Sequence, residues 1–324
     1  MLRAADQYGI AAAYGLGEAL SLTGPVARGV LGQVWRLQTE RGDWAVKETF
    51  DPLDEREAVE AAAIQEAATL AGIPTPRVVR TLDGEIQLAC AGDVVRVYEW
   101  VELGKADPLV DPAAVGRLLA AIHLLGFAGT MPLDPWYTDP VGAARWRELA
   151  DAMDAASGPC AAMLAARCEE LIALEDLLEP PRDLATCHRD LWADNVLPTP
   201  GGGLCVIDWD NSGLADRSQE LAVALFEFGA NDAARTRALY RSYVEAGGPG
   251  RVSRRGDFSM AIAQVGHIGE MGIAAWLAPD TPAGEREVWV PRIEEFLSLM
   301  LTRALIDDIL AALQDDEPDC TALG

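Results

Sequence analysis

The polar and apolar residues of Gly32 to Gln38 alternate towards a turn at Arg41-Gly42-Asp43, and Trp44 to Glu48 returns from it. An arm of that kind, a turn and a returning arm predict a β-hairpin that carries Lys47 on its second strand. Residues 78–81 and 85–89 flank Asp83-Gly84, a two-residue turn signal that predicts another hairpin, and residues 93–101 supply a further strand. Between these strands, residues 52–71 are rich in Ala, Glu and Gln without an internal Pro or Gly, and they close at Gly72 with Pro74 behind it. That is a helix by propensity and by its stop signal. The pattern changes beyond the strands: residues 112–125, 141–156, 160–179 and several Ala- and Leu-rich stretches from Ser218 onward read as helices. One short interruption remains, where Pro198-Thr199-Pro200-Gly201-Gly202-Gly203 separates the apolar residues 195–197 and 204–207. Such turn chemistry predicts a small hairpin within the helical part. The chain is therefore expected to be α+β, with a β-rich N-terminal part holding one main helix and a mostly helical C-terminal part.

The interrupting hairpin carries the chemistry. It follows Cys187-His188-Arg189-Asp190-Leu191-Trp192-Ala193-Asp194-Asn195 and leads into Ile207-Asp208-Trp209-Asp210. Folding back at the glycines brings Asn195 towards Asp208. A phosphoryl-transfer site needs oxygen ligands for the cations that neutralise phosphate charge, together with a carboxylate that orients the attacking hydroxyl. Asp190 suits the carboxylate base, and Asn195 and Asp208 suit the metal. Lys stands only at 47 and 105 among 26 basic residues, so a composition that otherwise prefers Arg keeps an ammonium on the hairpin strand. A compact point charge fits phosphate oxygens.

His-x-Asp-x-x-x-x-Asn followed by Ile-Asp-Trp resembles the aminoglycoside phosphotransferase family, small-molecule kinases with the protein-kinase-like fold. Protein kinases follow their metal aspartate with Phe-Gly, whereas Trp209 and Asp210 stand here. The resemblance spans residues 26–222 and implies ATP and Mg2+ as cofactors. It implies a two-lobed fold divided into an N-terminal nucleotide-binding lobe (1–98), a hinge (99–104) and a C-terminal catalytic and acceptor-binding lobe (105–324). It also implies that Lys47 holds phosphate, that the turn containing Gly29 lies over the nucleotide, and that the backbone C=O of Glu99 and N–H of Val101 hold adenine beside Tyr98. A helix glutamate should pair with Lys47. Glu57, Glu60 and Glu66 are available, and family spacing points to Glu66, with Glu60 second. His188 is expected to prop the loop backbone, His123 to pack in the core, and Glu220 to occupy the place of a family aspartate as a structural residue, its extra methylene making a backbone-anchoring role doubtful.

The net charge of −25 argues against a nucleic-acid partner and against attachment to anionic lipid. The excess of acids over bases is six in residues 1–100 and nineteen in residues 101–324, so the carboxylates lean towards the expected acceptor lobe. A small cationic acceptor, an aminoglycoside or a basic peptide antibiotic, would be drawn to such a surface, although general solubility accounts for the charge equally well. Asp216, Glu227 and Glu270 are the candidate acceptor-contacting acids, and His267 and Glu270 are spaced to share a helix face. Six cysteines without a Cys-x-x-Cys pairing, beside three histidines, suggest reduced thiols rather than a zinc cluster. A cytoplasmic chain with no membrane segment is expected, with a frayed acidic end at Asp315-Asp316-Glu317-Pro318-Asp319. The function these residues imply is ATP-dependent phosphorylation of a small-molecule hydroxyl, with antibiotic resistance as its context. Alternative readings are a metabolite kinase for an amino sugar, a homoserine-like or a choline-like acceptor, and a catalytically silent kinase-like protein that binds nucleotide or drug.

Overall fold

The computed structural model describes residues 2–314 apart from Val30, Leu31, Asp51, Ala91, Ala230, Pro282 and Met300. The expected acidic end at 315–319 lies outside the described residues. The chain divides into two compact units, one formed by Met1–Asp107, Leu125–Met131 and Asp190–Gly213, the other by Pro108–Leu124, Pro132–Arg189 and Leu214–Gly324.

The first unit opens with the short helix α1 (Gln7–Ala13) and an antiparallel sheet. Its strands are β1 (Ala19–Arg28), β2 (Gly32–Thr39), β3 (Gly42–Thr49), β4 (Val78–Val79), β5 (Leu88–Cys90) and β6 (Asp93–Glu99), ordered β1-β2-β3-β6-β4 with β5 also on β6. Alternation places Leu37, Val46, Val95 and Val97 on the buried face, where they meet Ile10 and Tyr14 of the N-terminal segment. The Tyr14 hydroxyl reaches the carbonyls of Ile86 and Val95, which fixes α1 on the sheet. The hairpin expected around Lys47 forms, with Val34 opposite Lys47. The Asp83-Gly84 turn also forms, closed by Gly84 N–H donating to Thr81 C=O with Gly84 at φ +90°. Its arms meet at Thr81 N–H to Glu85 C=O, and beyond that both align on β6, whose longer apolar run offers the better partner.

Helix α2 (Glu55–Leu70) starts at Asp54, whose carboxylate accepts from Glu57 N–H while the Glu57 carboxylate accepts from Asp54 N–H. This capping box satisfies two end groups of the helix. β8 (Val196–Pro198) and β9 (Leu204–Val206) form the glycine-turn hairpin, closed by Thr199 N–H to Gly203 C=O. Pro74 C=O accepts from Val206 N–H, so the hairpin is tied to the segment after α2.

The second unit is helical: α3 (Pro112–His123), α4 (Ala143–Ala155), α5 (Ala161–Glu175), α6 (Arg217–Gly229), α7 (Ala233–Glu245), α8 (Ser259–Leu277), α9 (Ala283–Leu299) and α10 (Arg303–Gln314). A two-stranded sheet of β7 (Leu184–Cys187) and β10 (Gly213–Asp216) accompanies them. Its core includes Trp146, Leu149, Phe228, Leu239, Tyr243 and Phe258. Among the described residues no helix is long and apolar enough to cross a membrane.

Candidate active site

Asp208 leaves β9 in a left-handed conformation, φ 59° and ψ 69°, and a single 3-10 turn, Trp209–Asn211, follows it. A non-glycine residue holds that conformation only when its surroundings demand it. Here the demand comes from Trp209, which is buried, donates its indole N–H to Thr75 and accepts through its carbonyl from the Ser212 hydroxyl. With the indole locked inward, the flanking Asp208 and Asp210 carboxylates are both delivered to Lys47, each at 2.7 Å from Nζ. Burial alone would lower the Lys47 pKa, but the two carboxylates hold it above its ordinary value.

Asp190 lies in the same unit. Its Oδ2 accepts from the side-chain amides of Asn195 (2.9 Å) and Asn211 (3.0 Å), and its main-chain carbonyl takes a second bond from the Asn195 amide. Both amides close on Oδ2 and the carbonyl rather than on Oδ1. Burial raises the Asp190 pKa first, the negative charge of Asp208 adds to it, and the two asparagine amides only partly oppose them, so the group titrates at about 7. A carboxyl tuned to neutrality is suited to general-base work.

The lysine partner expected on α2 is not there. Glu66 instead forks Arg80 at 2.7 and 2.9 Å, Glu60 accepts from the backbone N–H groups of Thr130 and Met131 and from the Thr130 hydroxyl, and Glu57 is spent in the capping box. A helix glutamate pairs with what the tertiary fold brings near it, and propensity carries no record of that. Asp210 takes the role, held in turn by the buried Arg96. Burial opposes ionisation of Asp210, but the charges of Lys47 and Arg96 overcome it and keep the carboxyl well below the usual carboxylate range. Asp210, Arg96 and Asn211 were missed as site residues. A lone arginine between Val95 and Val97, and acids at 208 and 210 on either side of a tryptophan, were the available signals. Truncating Glu66 to Ala should therefore cost stability only modestly, roughly 0.5 kcal/mol for a pair each a third exposed, and leave nucleotide affinity unchanged. Urea unfolding and a binding titration check both.

The remaining expected site residues are placed as follows. Strand β1 runs through to Arg28, so the turn expected to contain Gly29 is short, and Gly29 N–H closes it onto Gly32 C=O; Val30 and Leu31 lie outside the described residues. Glu99 ends β6, donating its N–H to Arg77 C=O, while Trp100 N–H reaches Asp43 C=O just before Val101. Two acceptor candidates are already committed to the protein itself. Asp216 is buried and its carboxylate accepts from the N–H groups of Arg182, Asp183 and Ser218, capping the chain at the start of α6. Glu270 pairs with Arg145 at 2.7 Å, so its charge is offset. Glu227 is half-buried on α6. His267 stacks on Trp136 rather than joining Glu270.

In the second unit, buried Glu220 accepts from Arg189 N–H, one residue before Asp190, and from His123 Nε2 at 2.7 Å. Glu220 thus anchors backbone after all, since the extra methylene lets it serve His123 as well. Cys187 lies close to this pair, but both His123 nitrogens are engaged, Nδ1 with Tyr243 Oη at 2.7 Å, so the cluster is a hydrogen-bond network.

The profile of the phosphotransferase enzyme family matches residues 23–256. The homoserine kinase of Neisseria meningitidis serogroup B (strain ATCC BAA-335 / MC58) is 29% identical over 237 residues, 71% of this chain and 72% of that protein. Among solved structures, a spectinomycin phosphotransferase in complex with ADP and spectinomycin aligns with TM-score 0.67 at 14% identity, over 97% of this chain and 99% of that one. An aminoglycoside phosphotransferase from Alicyclobacillus acidocaldarius subsp. acidocaldarius DSM 446 aligns with TM-score 0.62 at 18% identity, over 93% and 94%. These likenesses show the fold to be α+β and protein-kinase-like. The chain belongs to the phosphotransferase enzyme family, the group that its His-Arg-Asp and Ile-Asp-Trp segments resemble, and is a small-molecule kinase.

Proposed function

We propose that this kinase transfers the γ-phosphoryl group of ATP to a hydroxyl of a small cationic molecule such as an aminoglycoside or a basic peptide antibiotic, and so confers resistance. The observation that carries the reading is the convergence of Lys47, Asp208 and a carboxyl at Asp190 titrating near neutrality within one unit. Lys47 holds phosphate oxygens, the turn at Gly29 lies over the phosphates, and the Glu99 carbonyl and Val101 N–H take adenine. Asp190 accepts the hydroxyl proton through Oδ1 and orients the oxygen for attack on the γ-phosphorus; as the new O–P bond forms, the bond to the β,γ-bridging oxygen breaks, ADP leaves and the proton stays on the Asp190 carboxyl until it is lost to solvent. Donor chemistry fits a hard divalent cation: Asp208 keeps Oδ2 beyond its contact with Lys47, and Asn195 keeps its amide oxygen, so these two would hold Mg2+. When bound, such a cation neutralises charge on the transferring phosphate. Glu227, half-buried on α6, is proposed to meet the acceptor.

A second reading is favoured by a specific observation. With Asp216 and Glu270 already partnered, the acceptor candidates supply less free negative charge than composition suggested, and the homoserine kinase likeness adds weight to an amino-acid-like acceptor that carries its own carboxylate. Incubation with ATP, Mg2+ and a mixed panel of aminoglycosides, peptide antibiotics, homoserine, choline and amino sugars, read by mass spectrometry, separates the two. One phosphoryl group on a cationic antibiotic is the expected product. Homoserine as the preferred acceptor replaces the first reading with the second, and ATP binding without any phosphorylated product leaves a nucleotide-binding protein.

A further inference from the structure

We propose that Asp210, clamped by Arg96, positions Lys47 for nucleotide in the place where a helix glutamate was expected, an inference that rests on the reading of this site as an ATP site. Register puts Lys47 directly opposite Arg96 across β3 and β6, so two cations share one face of the sheet. Like charges at that separation repel, and both side chains are largely removed from water. The Asp210 carboxylate is their common counter-ion. Arg96 meets it with both terminal nitrogens, Nη1 at 2.5 Å from Oδ1 and Nη2 on Oδ2, and Oδ2 also receives Lys47 Nζ. A forked guanidinium fixes the plane of a carboxylate as well as its position. The oxygen that faces Lys47 therefore has one orientation, and the ammonium has one place to sit.

The second carboxylate on Lys47 differs in kind. Asp208 is twice as exposed as Asp210, 36% against 17%, and the fork of Arg96 closes on Asp210 rather than on it. It is also the residue proposed to hold a divalent cation. If Asp208 were the sole partner of Lys47, ammonium and cation would compete for the same carboxylate. With Asp210 fixed by Arg96, Lys47 keeps a counter-ion when the charge of Asp208 is drawn elsewhere. None of the candidate glutamates Glu57, Glu60 and Glu66 does this, because the carboxylate of each already has its own partners.

The test is calorimetric titration of the full-length protein with ATP across a series of MgCl2 concentrations. Asp210→Asn is expected to weaken ATP binding about tenfold and to raise the half-saturating magnesium concentration severalfold, because Lys47 then leans on Asp208 alone. Asp210→Glu, which keeps the charge, should recover most of the magnesium response, and Glu66→Gln should change neither quantity. Wild-type affinity and magnesium dependence in Asp210→Asn overturn the proposal, as does a loss that appears in Glu66→Gln instead. If circular dichroism shows Asp210→Asn unfolded, Arg96→Lys carries the test, since it keeps the cation and removes the fork; a shift in the same direction supports the positioning role, and wild-type behaviour overturns it. A wild-type protein that bound no ATP would sink the ATP-site reading together with this one, whereas wild-type binding with an unchanged Asp210→Asn sinks this one alone.

Discussion

Asp190→Asn should lower turnover by about 100- to 10,000-fold, the range for removal of a positioned general base, while ATP still binds. The amide keeps an acceptor oxygen for the Asn195 and Asn211 donors, so the loop has no reason to rearrange. Two pH dependences accompany the loss. In the wild type, kcat/KM should rise with pH through about 7 as Asp190 gives up its proton, and this limb should vanish from the residual activity of the variant. Stability runs the other way. The folded pKa lies above the ordinary carboxyl value, so between the two the native state holds a proton that the unfolded chain has released. Asp190 therefore costs nothing at low pH and progressively more as pH rises to about 7, where the cost is complete. Replacing it with Asn should raise stability by about 1 kcal/mol near pH 8, after discounting for solvent at this half-buried side chain. An inactive protein that melts no earlier than the wild type is thus the signature of a base under electrostatic strain. Near-normal turnover in the variant, or a wild-type rate that is flat across neutrality, removes Asp190 from that role.

The parts of the site that were legible in the sequence are those where local pattern sets geometry. An alternating arm up to Gln38 and a returning arm after Arg41-Gly42-Asp43 read as a hairpin, and it put Lys47 on β3. The Pro- and Gly-rich turn after Asn195 could only fold back, and the observed register of Val196 on Val206 follows from it. What was not legible depends on distant partners. Glu57, Glu60 and Glu66 look alike on a helix, and their fates are set by Asp54, Thr130 and Arg80, the latter two lying 70 and 14 residues away. Asp216 offered a local clue that went unused, since an acid two residues before Ser218 at the head of a helix is placed to cap it. Chemistry-bearing residues on loops read well here, and the charges that hold them read poorly, because an ion pair is a tertiary fact.

Glu220 is the residue whose removal should hurt the fold most. Its carboxylate is fully buried and is held below the usual carboxylate range: burial pushes it up, and His123 with the neighbouring charges and Arg189 N–H pushes it down further. Ionised Glu220 can only accept, so His123 Nε2 carries the hydrogen between them; Nδ1 pairs with the Tyr243 hydroxyl, and the Tyr243 oxygen accepts from Gly250 N–H at 2.8 Å. The chain links α3, α6 and α7 and ends on the Arg189 peptide. That peptide needs the support, because Arg189 is itself left-handed at φ 64°, and its carbonyl is taken on the other side by the Gln264 amide at 2.7 Å. Glu220→Ala leaves the Arg189 N–H and the His123 N–H without an acceptor in a space closed to water, and should cost roughly 3–5 kcal/mol. Glu220→Gln keeps one acceptor oxygen and should cost about half as much. Because the folded pKa of Glu220 is depressed, its contribution is present at neutral pH and is lost as pH falls through the carboxylate range, so the gap between wild type and Glu220→Ala should narrow in acid. Guanidinium unfolding at neutral and acid pH measures all three. A Glu220→Ala protein within about 0.5 kcal/mol of wild type, or a gap that widens as pH falls, would show that the carboxylate is not what holds the peptide before Asp190.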